Sequence, residues 1–339
     1  MPTLPDTHRE VKLATRPRGL PRLGDFAVVE SPLPTPGEGE VLVRNRFFHV
    51  FASMRMLIAG VTEGTPFPAV VPGDTLAGAA IGEVVCAPPG AKMRPGKLVA
   101  HWLGWREYAA VPVAACTPLG DELPDPVAHL GQGWTAYAAL TKAVQVRPGD
   151  TVFVSAGGSA IGSIAGQVAR LLGAGRVIGS TGSREKADRL VSELGYDAAV
   201  VRGEGPLVEQ LAKAAPDGID VFFDNVGGEQ LPAAVEVARD GARFVLVGAL
   251  AGQLAADGPG TSAPATIDSF PLILKQIVLR GFSSDRVDGR AEWLEQFGSW
   301  LRSGDIVFPH VRVPGIENAP RTLLDVIDGR HLGVTVIEL

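Results

Sequence analysis

The residues best suited to chemistry form one short loop, Gly157, Gly158, Ser159, Ala160, Ile161 and Gly162. An apolar run, 151–155, precedes it, and a stretch of helical periodicity, 161–172, follows. A strand, a glycine turn and a helix in that order leave backbone N–H groups unpaired at the helix start, where they can hold a pyrophosphate. Gly157 suits the tight turn, and Gly162 lets the helix approach the sheet. Ser159 replaces the middle glycine usual in dinucleotide loops, and its hydroxyl could itself donate to phosphate. About 20 residues further on, such folds read the adenosine ribose. Here the turn carries Ser183, Arg184 and Lys186, with Glu185 between the two cations. A 2′-phosphate needs charge-assisted donors, so the pattern points to NADPH rather than NADH. Arg184 and Lys186 could also be plain solvated helix-start residues. Arg202, after the third strand, offers a further cation on the adenine side.

The surrounding pattern supports that placement. From residue 150 the chain alternates strand and helix. Strands are expected at 151–155, 176–180, 198–201, 220–224, 242–247 and 278–281, with helices at 161–172, 184–194, 207–214, 230–238 and 270–275. This is the α/β signature of a Rossmann-type, doubly wound parallel sheet. The first third reads differently. Short strand candidates at 25–30, 40–45, 73–85, 97–101 and 107–112 are punctuated by turns at 87–91 and 94–96, which suggests a small closed or sandwiched β-domain. Residues 126–140 read as helical, and 291–301 as an amphipathic helix carrying Trp293, Phe297 and Trp300. A helix at 319–327 and a strand at 334–339 end the chain. The expected domains are 1–125, 126–304 and a tail, 305–339, that returns to the first.

Bulk properties exclude several classes. At 339 residues the chain is too long for one ordinary core. Net charge is −6 and no Lys/Arg run exceeds two, so no basic stripe awaits a nucleic acid. Two cysteines, Cys86 and Cys116, rule out a stapled secreted fold and a thiolate-rich zinc site. The first 22 residues lack an apolar signal core, and no uncharged apolar run reaches the ~18 residues of a membrane span. A cytoplasmic protein acting on a small molecule is expected.

Several segments together resemble the zinc-independent medium-chain dehydrogenase/reductases, nearest to the leukotriene B4 dehydrogenase, prostaglandin reductase and 2-alkenal reductase branch. They are Met54-Arg55, Gly73-Asp74-Thr75, Thr135-Ala136-Tyr137, Gly166-Gln167, Gly182-Ser183 with Lys186, and Asp224-Asn225-Val226-Gly227-Gly228-Glu229. The resemblance implies a GroES-like β-rich catalytic domain, a cleft between domains, and NADPH-dependent hydride transfer to an activated C=C bond. It implies that Ser183 and Lys186 hold the 2′-phosphate and that Asn225 lies near the nicotinamide. Thr135 and Tyr137 would shape the cofactor pocket, with Val247 and Gly248 at the end of the fifth strand. The family is often dimeric, so a homodimer is an open expectation. Zinc alcohol dehydrogenases carry Gly-His-Glu where this chain has Gly73-Asp74-Thr75, so no metal is expected.

The chain also departs from that branch. Ser53 stands where a tyrosine usually precedes Met-Arg, and Gln253 near another usual tyrosine. His331 occupies the asparagine position of the tail motif. An alkene accepts hydride only if a conjugated carbonyl takes up the electron pair, so groups that polarise the carbonyl or relay a proton are needed. The candidates are Arg55, Ser53, His49, Gln253 and His331, with Phe51, Trp102 and Trp105 as an apolar wall. The expected activity is an enoyl or alkenal reductase, with a polyketide-tailoring role suggested by the Ala/Gly/Arg-rich composition together with the resemblance. A quinone or carbonyl reductase and a non-catalytic NADPH-binding protein remain as alternatives.

Overall fold

A computed structural model describes residues 4–60, 62, 69–88, 93–256 and 262–339. The first domain holds β1 (Thr7–Leu13), β2 (Phe26–Pro32), β3 (Glu40–Val50), α1 (Met54–Ala59), β4 (Ala80–Cys86), β5 (Leu98–His101), β6 (Tyr108–Pro112) and β7 (Thr117–Pro118). β1 and β2 form an antiparallel pair of their own. β1 escapes the hydropathy pattern because two of its inward residues are polar. His8 and Glu10 are buried, and Glu10 accepts from the Ser31 hydroxyl at 2.7 Å and the Thr75 hydroxyl at 2.7 Å. α1 is also missed, being too short to show a period. The strand expected at 73–85 is shorter and starts at Ala80. Thr75 and Gly78 make only isolated bridges, since Pro72 and Gly73 (φ +100°) turn the chain there. The turn expected at 87–91 lies partly outside the described residues.

The second domain runs α2 (Gly133–Ala138), β8 (Thr151–Val154), α3 (Gly162–Leu171), β9 (Arg176–Thr181), α4 (Arg184–Leu194), β10 (Ala198–Val201), α5 (Leu207–Ala214), β11 (Ile219–Asp224), α6 (Gln230–Val237), β12 (Ala238–Leu246), α7 (Leu250–Gln253), α8 (Ser269–Leu274), β13 (Val278–Gly281) and α9 (Arg290–Ser303). Its six strands are all parallel, in the order β10-β9-β8-β11-β12-β13. The order reverses between β8 and β11, which opens the crevice where such sheets bind ligands. Residues 126–140 are not one helix. A 3-10 turn, Pro126–Leu130, capped by the Asp125 carboxylate, gives way at the extended Gly131 before α2 begins. Gly133 then packs so closely on Trp293 of α9 that a Cβ would collide with the indole.

The tail adds β14 (His310–Pro314), α10 (Ala319–Ile327) and β15 (Val334–Glu338). β14 is missed in the sequence because His310 and Arg312 interrupt its apolar pattern. β15 pairs antiparallel with β3 and parallel with β14, completing a sheet ordered β14-β15-β3-β4-β5-β7, with β6 also on β3. β3 is longer than the expected 40–45, because its second half meets β15 and β4.

Candidate functional site

The glycine loop joins β8 to α3 at the order reversal. Its strained residue is Ala156 (φ +50°), not Gly157. Gly157 serves close packing instead: a Cβ there would lie 3.3 Å from the Gly179 Cα and 3.1 Å from Leu190. At Gly162 a Cβ would collide with the Ala156 carbonyl, so α3 can start this near the loop only with glycine. The Ser159 hydroxyl accepts from the Gly162 N–H at 3.0 Å, and so caps the helix from within the loop. The Tyr196 hydroxyl, fully buried, donates to the Gly162 carbonyl at 2.7 Å. Gly158, Ala160 and Ile161 complete the loop. A Cβ on Gly158 would rest 3.2 Å from Leu332 of the tail, and the Gly333 N–H donates to the Gly158 carbonyl at 3.0 Å. The tail thus forms a roof over the loop.

Behind the loop lies a buried polar cluster in which Ser155 and Asp224, residues with no assigned role in the sequence, hold Asn225. One Asp224 oxygen accepts from the Ser155 hydroxyl at 2.8 Å and from the Val226 and Gly227 N–H groups at 2.9 Å each. Burial raises the Asp224 pKa above the usual carboxylate value, against the pull of these donors. The arrangement fixes the turn that carries Asn225. Asn225 donates through Nδ2 to the Ser155 carbonyl at 2.8 Å, while its buried Oδ1 has no partner among the described residues. Val247 and Gly248 close this turn through N–H donation to the Asp224 carbonyl, and a Cβ on Gly248 would lie 2.6 Å from the Asn225 carbonyl.

At the end of β9, Ser183 caps α4 by accepting from the Lys186 N–H at 3.3 Å. The Lys186 ammonium donates to the His331 carbonyl, and its stem passes 3.6 Å from where a Gly158 Cβ would stand. Burial, aided by Arg189, lowers its pKa to about 8. Arg184 points outward and pairs with Glu204. Arg202 lies beside Gly182, and among the described residues its guanidinium makes no hydrogen bond or ion pair. Among the described residues Arg202 is thus a cation at this turn with no hydrogen bond or ion pair, whereas Arg184 is paired with Glu204.

The five catalytic candidates divide. Ser53, Arg55 and Gln253 converge: the Ser53 hydroxyl donates to Gln253 Oε1 at 3.1 Å, and Arg55 donates to the Gln253 carbonyl at 2.6 Å. Ser53 and Gln253 are half-buried, whereas Arg55 is 1% exposed. His49 is buried on β3 beside Phe51, with ring centroids 5.6 Å apart, and burial lowers its pKa to about 4. It is a neutral imidazole at working pH. His331 groups with Lys186 beside the glycine loop, not with Ser53 and Gln253. Its Nε2 is buried without a partner among the described residues, and its pKa is lowered chiefly by burial. The expected apolar wall loses one member. Trp105 is fully buried against Phe48, while Trp102 is exposed and lies 6.2 Å from Phe51.

Thr135 and Tyr137 face α9 and its approach. The Thr135 hydroxyl meets the Ser284 hydroxyl at 2.9 Å, and the Tyr137 ring packs 5.3 Å from Trp293 and 6.2 Å from Trp300. Among the described residues no three His, Cys, Asp or Glu side chains are grouped as metal ligands.

Comparison with known proteins agrees with this architecture. Residues 160–300 match the family described as zinc-binding dehydrogenase, and residues 9–119 the N-terminal domain of oxidoreductase. The chain is 33% identical to the putative NADP-dependent oxidoreductase YfmJ of Bacillus subtilis, with 98% of each chain covered. It is 31% identical to the NADPH-dependent curcumin reductase of Escherichia coli, covering 98% of this chain and 97% of that one. Among solved structures it is similar to CurA from Vibrio vulnificus in complex with NADPH, with a TM-score of 0.86, 31% identity, and coverage of 97% and 98%.

Proposed function

Because the chain belongs to the zinc-independent medium-chain dehydrogenase/reductase family, in the branch of the prostaglandin, 2-alkenal and curcumin reductases, we propose that it reduces the C=C bond of an α,β-unsaturated carbonyl compound with NADPH. It is an NADP-dependent oxidoreductase. The residues fit that cofactor. The loop lies at the order reversal of the parallel sheet, and Lys186 and Arg202 flank the turn after β9 that would read the ribose. Asn225 Oδ1 is a buried acceptor awaiting a donor. When bound, the cofactor supplies a hydride.

The observation that carries the reading is the half-buried Ser53 hydroxyl, paired with Gln253 and next in sequence but one to the apolar Phe51–Trp102 pair. Its one proton, given to Gln253 Oε1 in the free protein, would turn to a substrate oxygen that gains charge in this apolar setting. As the β-carbon accepts hydride, the π electrons move to the carbonyl oxygen, and the enolate then takes one proton at the α-carbon from solvent water. The buried neutral His49 is unsuited to act as an imidazolium acid, so Ser53 is the proposed oxygen donor and Gln253 its orienting partner. Lys186, Arg202 and the loop hold the cofactor end. The polyketide-tailoring role stays a proposal about which enone is used.

The test is direct. Purified protein is mixed with NADPH and a panel of enones, quinones and simple ketones, and the absorbance of reduced cofactor is followed. Saturated products from enones, identified by mass, support the reading. Turnover of quinones or ketones alone would overturn it in favour of a quinone or carbonyl reductase. Tight NADPH binding with no turnover on any class would favour a non-catalytic role.

A further inference from the structure

Arg55 is a buried cation that donates to the main chain of the other domain. Its two terminal nitrogens donate to the Gln253 carbonyl at 2.6 Å and the Ala255 carbonyl at 2.5 Å. Both acceptors lie just past or at the end of α7, in the cofactor domain, whereas Arg55 sits in the first turn of α1, in the substrate domain. Two neighbours reinforce the join. Ser53 reaches Gln253 Oε1, and Leu254 packs into the apolar cluster that contains Met54, Met56, Leu57 and Ile58. Burial lowers the Arg55 pKa below its usual value, so the fold bears a cost to keep this charge here.

The far side of α7 is tied to the cofactor turn. The Leu250 N–H donates to the Asn225 carbonyl at 3.1 Å, and the Ala251 N–H to the Val226 carbonyl at 2.9 Å. A Cβ on Gly228 would touch the Ala251 side chain at 3.1 Å. A continuous run of short hydrogen bonds thus leads from α1, through Arg55 and α7, to the turn bearing Asn225. α7 is a single helical turn with little burial of its own, so its position depends on these two attachments.

We propose that Arg55 is a positioning residue, a clamp between the domains that fixes α7, and with it Ser53, Gln253 and Asn225, in one register across the cleft. The guanidinium has no surface left to touch a substrate. Its effect on hydride transfer arises from registry, where misplacement by about 1 Å can cost on the order of 100-fold in rate. The clamp's effect on catalysis rests on the proposed hydride-transfer reading of the cleft, but the clamp itself can be measured without turnover.

The experiment compares wild type, Arg55→Ala and Arg55→Lys, full length, by amide hydrogen exchange and by steady-state kinetics. In Arg55→Ala, amides 250–255 should lose protection while those of β8 and β11 keep theirs. The NADPH Kd should change by less than about threefold and kcat should fall about 10- to 100-fold. Millimolar guanidinium should restore part of both the protection and kcat. Arg55→Lys, which replaces the planar two-nitrogen fork with a single ammonium, should fall between the two and replaces Arg55→Ala if that variant does not fold. Full protection of 250–255 in either variant, with kcat reduced, would overturn the clamp and return Arg55 to direct contact with substrate. If wild type reduces no enone, the proposed function fails, and the exchange result still decides the clamp.

Discussion

Replacing Lys186 by methionine keeps the aliphatic stem that lies along Gly158 and removes only the charge. In the free protein the ammonium donates to the His331 carbonyl, a neutral acceptor. Against a 2′-phosphate it would form a hydrogen bond between charged partners, worth roughly 1.5–3 kcal/mol. That converts to a loss of about 10- to 150-fold in kcat/KM for NADPH, with NADH little changed. The neighbouring cations should not behave alike. Arg184 is 67% exposed and already paired with Glu204, so Arg184→Ala should stay within about fivefold of wild type. Arg202, beside Gly182 and without an ion pair among the described residues, should cost an intermediate amount when replaced by alanine. Proton linkage gives a second readout. Burial lowers the Lys186 pKa to about 8, so the free protein loses this charge as pH rises through about 8. kcat/KM for NADPH should then decline above that pH, and the decline should be absent with NADH and in Lys186→Met. The assay is initial rate against each cofactor from pH 6.5 to 9.5. A Lys186→Met ratio of NADPH to NADH efficiency within threefold of wild type would refute the assignment.

His49 and His101 should make the fold acid-sensitive. Burial lowers both to about 4 from 6.5, and His101 is fixed as a neutral ring between Asn45 Oδ1 at 2.8 Å and the Leu103 N–H at 3.1 Å. As pH falls the unfolded chain binds protons first, so stability is full above 6.5 and drains away toward 4, by up to about 3 kcal/mol per residue. Urea midpoints at pH 7 and pH 5 check this, and an equal midpoint at both would contradict it. Gly162→Ala forces α3 away from the Ala156 carbonyl. It should cost about 1–3 kcal/mol and weaken NADPH binding, read by thermal melts with and without cofactor. Tyr196→Phe leaves the Gly162 carbonyl without its side-chain donor and should cost about 1–3 kcal/mol with kcat unchanged. Ser53→Ala should lower kcat about 10- to 100-fold on enones at constant NADPH affinity, and an unaltered kcat would remove Ser53 from the mechanism.

The cofactor domain was legible because its strands are buried on both faces and read as unbroken apolar runs, such as Val152 to Val154 and Val221 to Phe223. The substrate domain was less so. β1 hides Glu10 and His8 on its inward face, satisfied by Ser31, Thr75 and the Tyr108 N–H, and no hydropathy pattern shows that pairing. The site divides along the same line. A glycine loop is written in residue types, because only glycine lets Gly162 sit against Ala156. Arg55 is not, because its partners are backbone carbonyls 198 and 200 residues away, which any side chain could have supplied. His331 misled in the opposite way. Its side chain suggested chemistry at the substrate, yet the group that makes a defined contact is its carbonyl, on Lys186. The reason is Gly333, whose φ of +78° and tight approach to the Pro309 carbonyl bend the tail down onto Gly158. A tail that enters β15 of the first sheet and also roofs the glycine loop of the second domain joins the two halves beside Lys186, as the proposed Arg55 clamp does beside Ser53. With both attachments in place, the cleft between them has little freedom left to vary in width. Substrate selection should then fall to Phe51 and Trp102, half-buried and exposed side chains that belong to neither attachment.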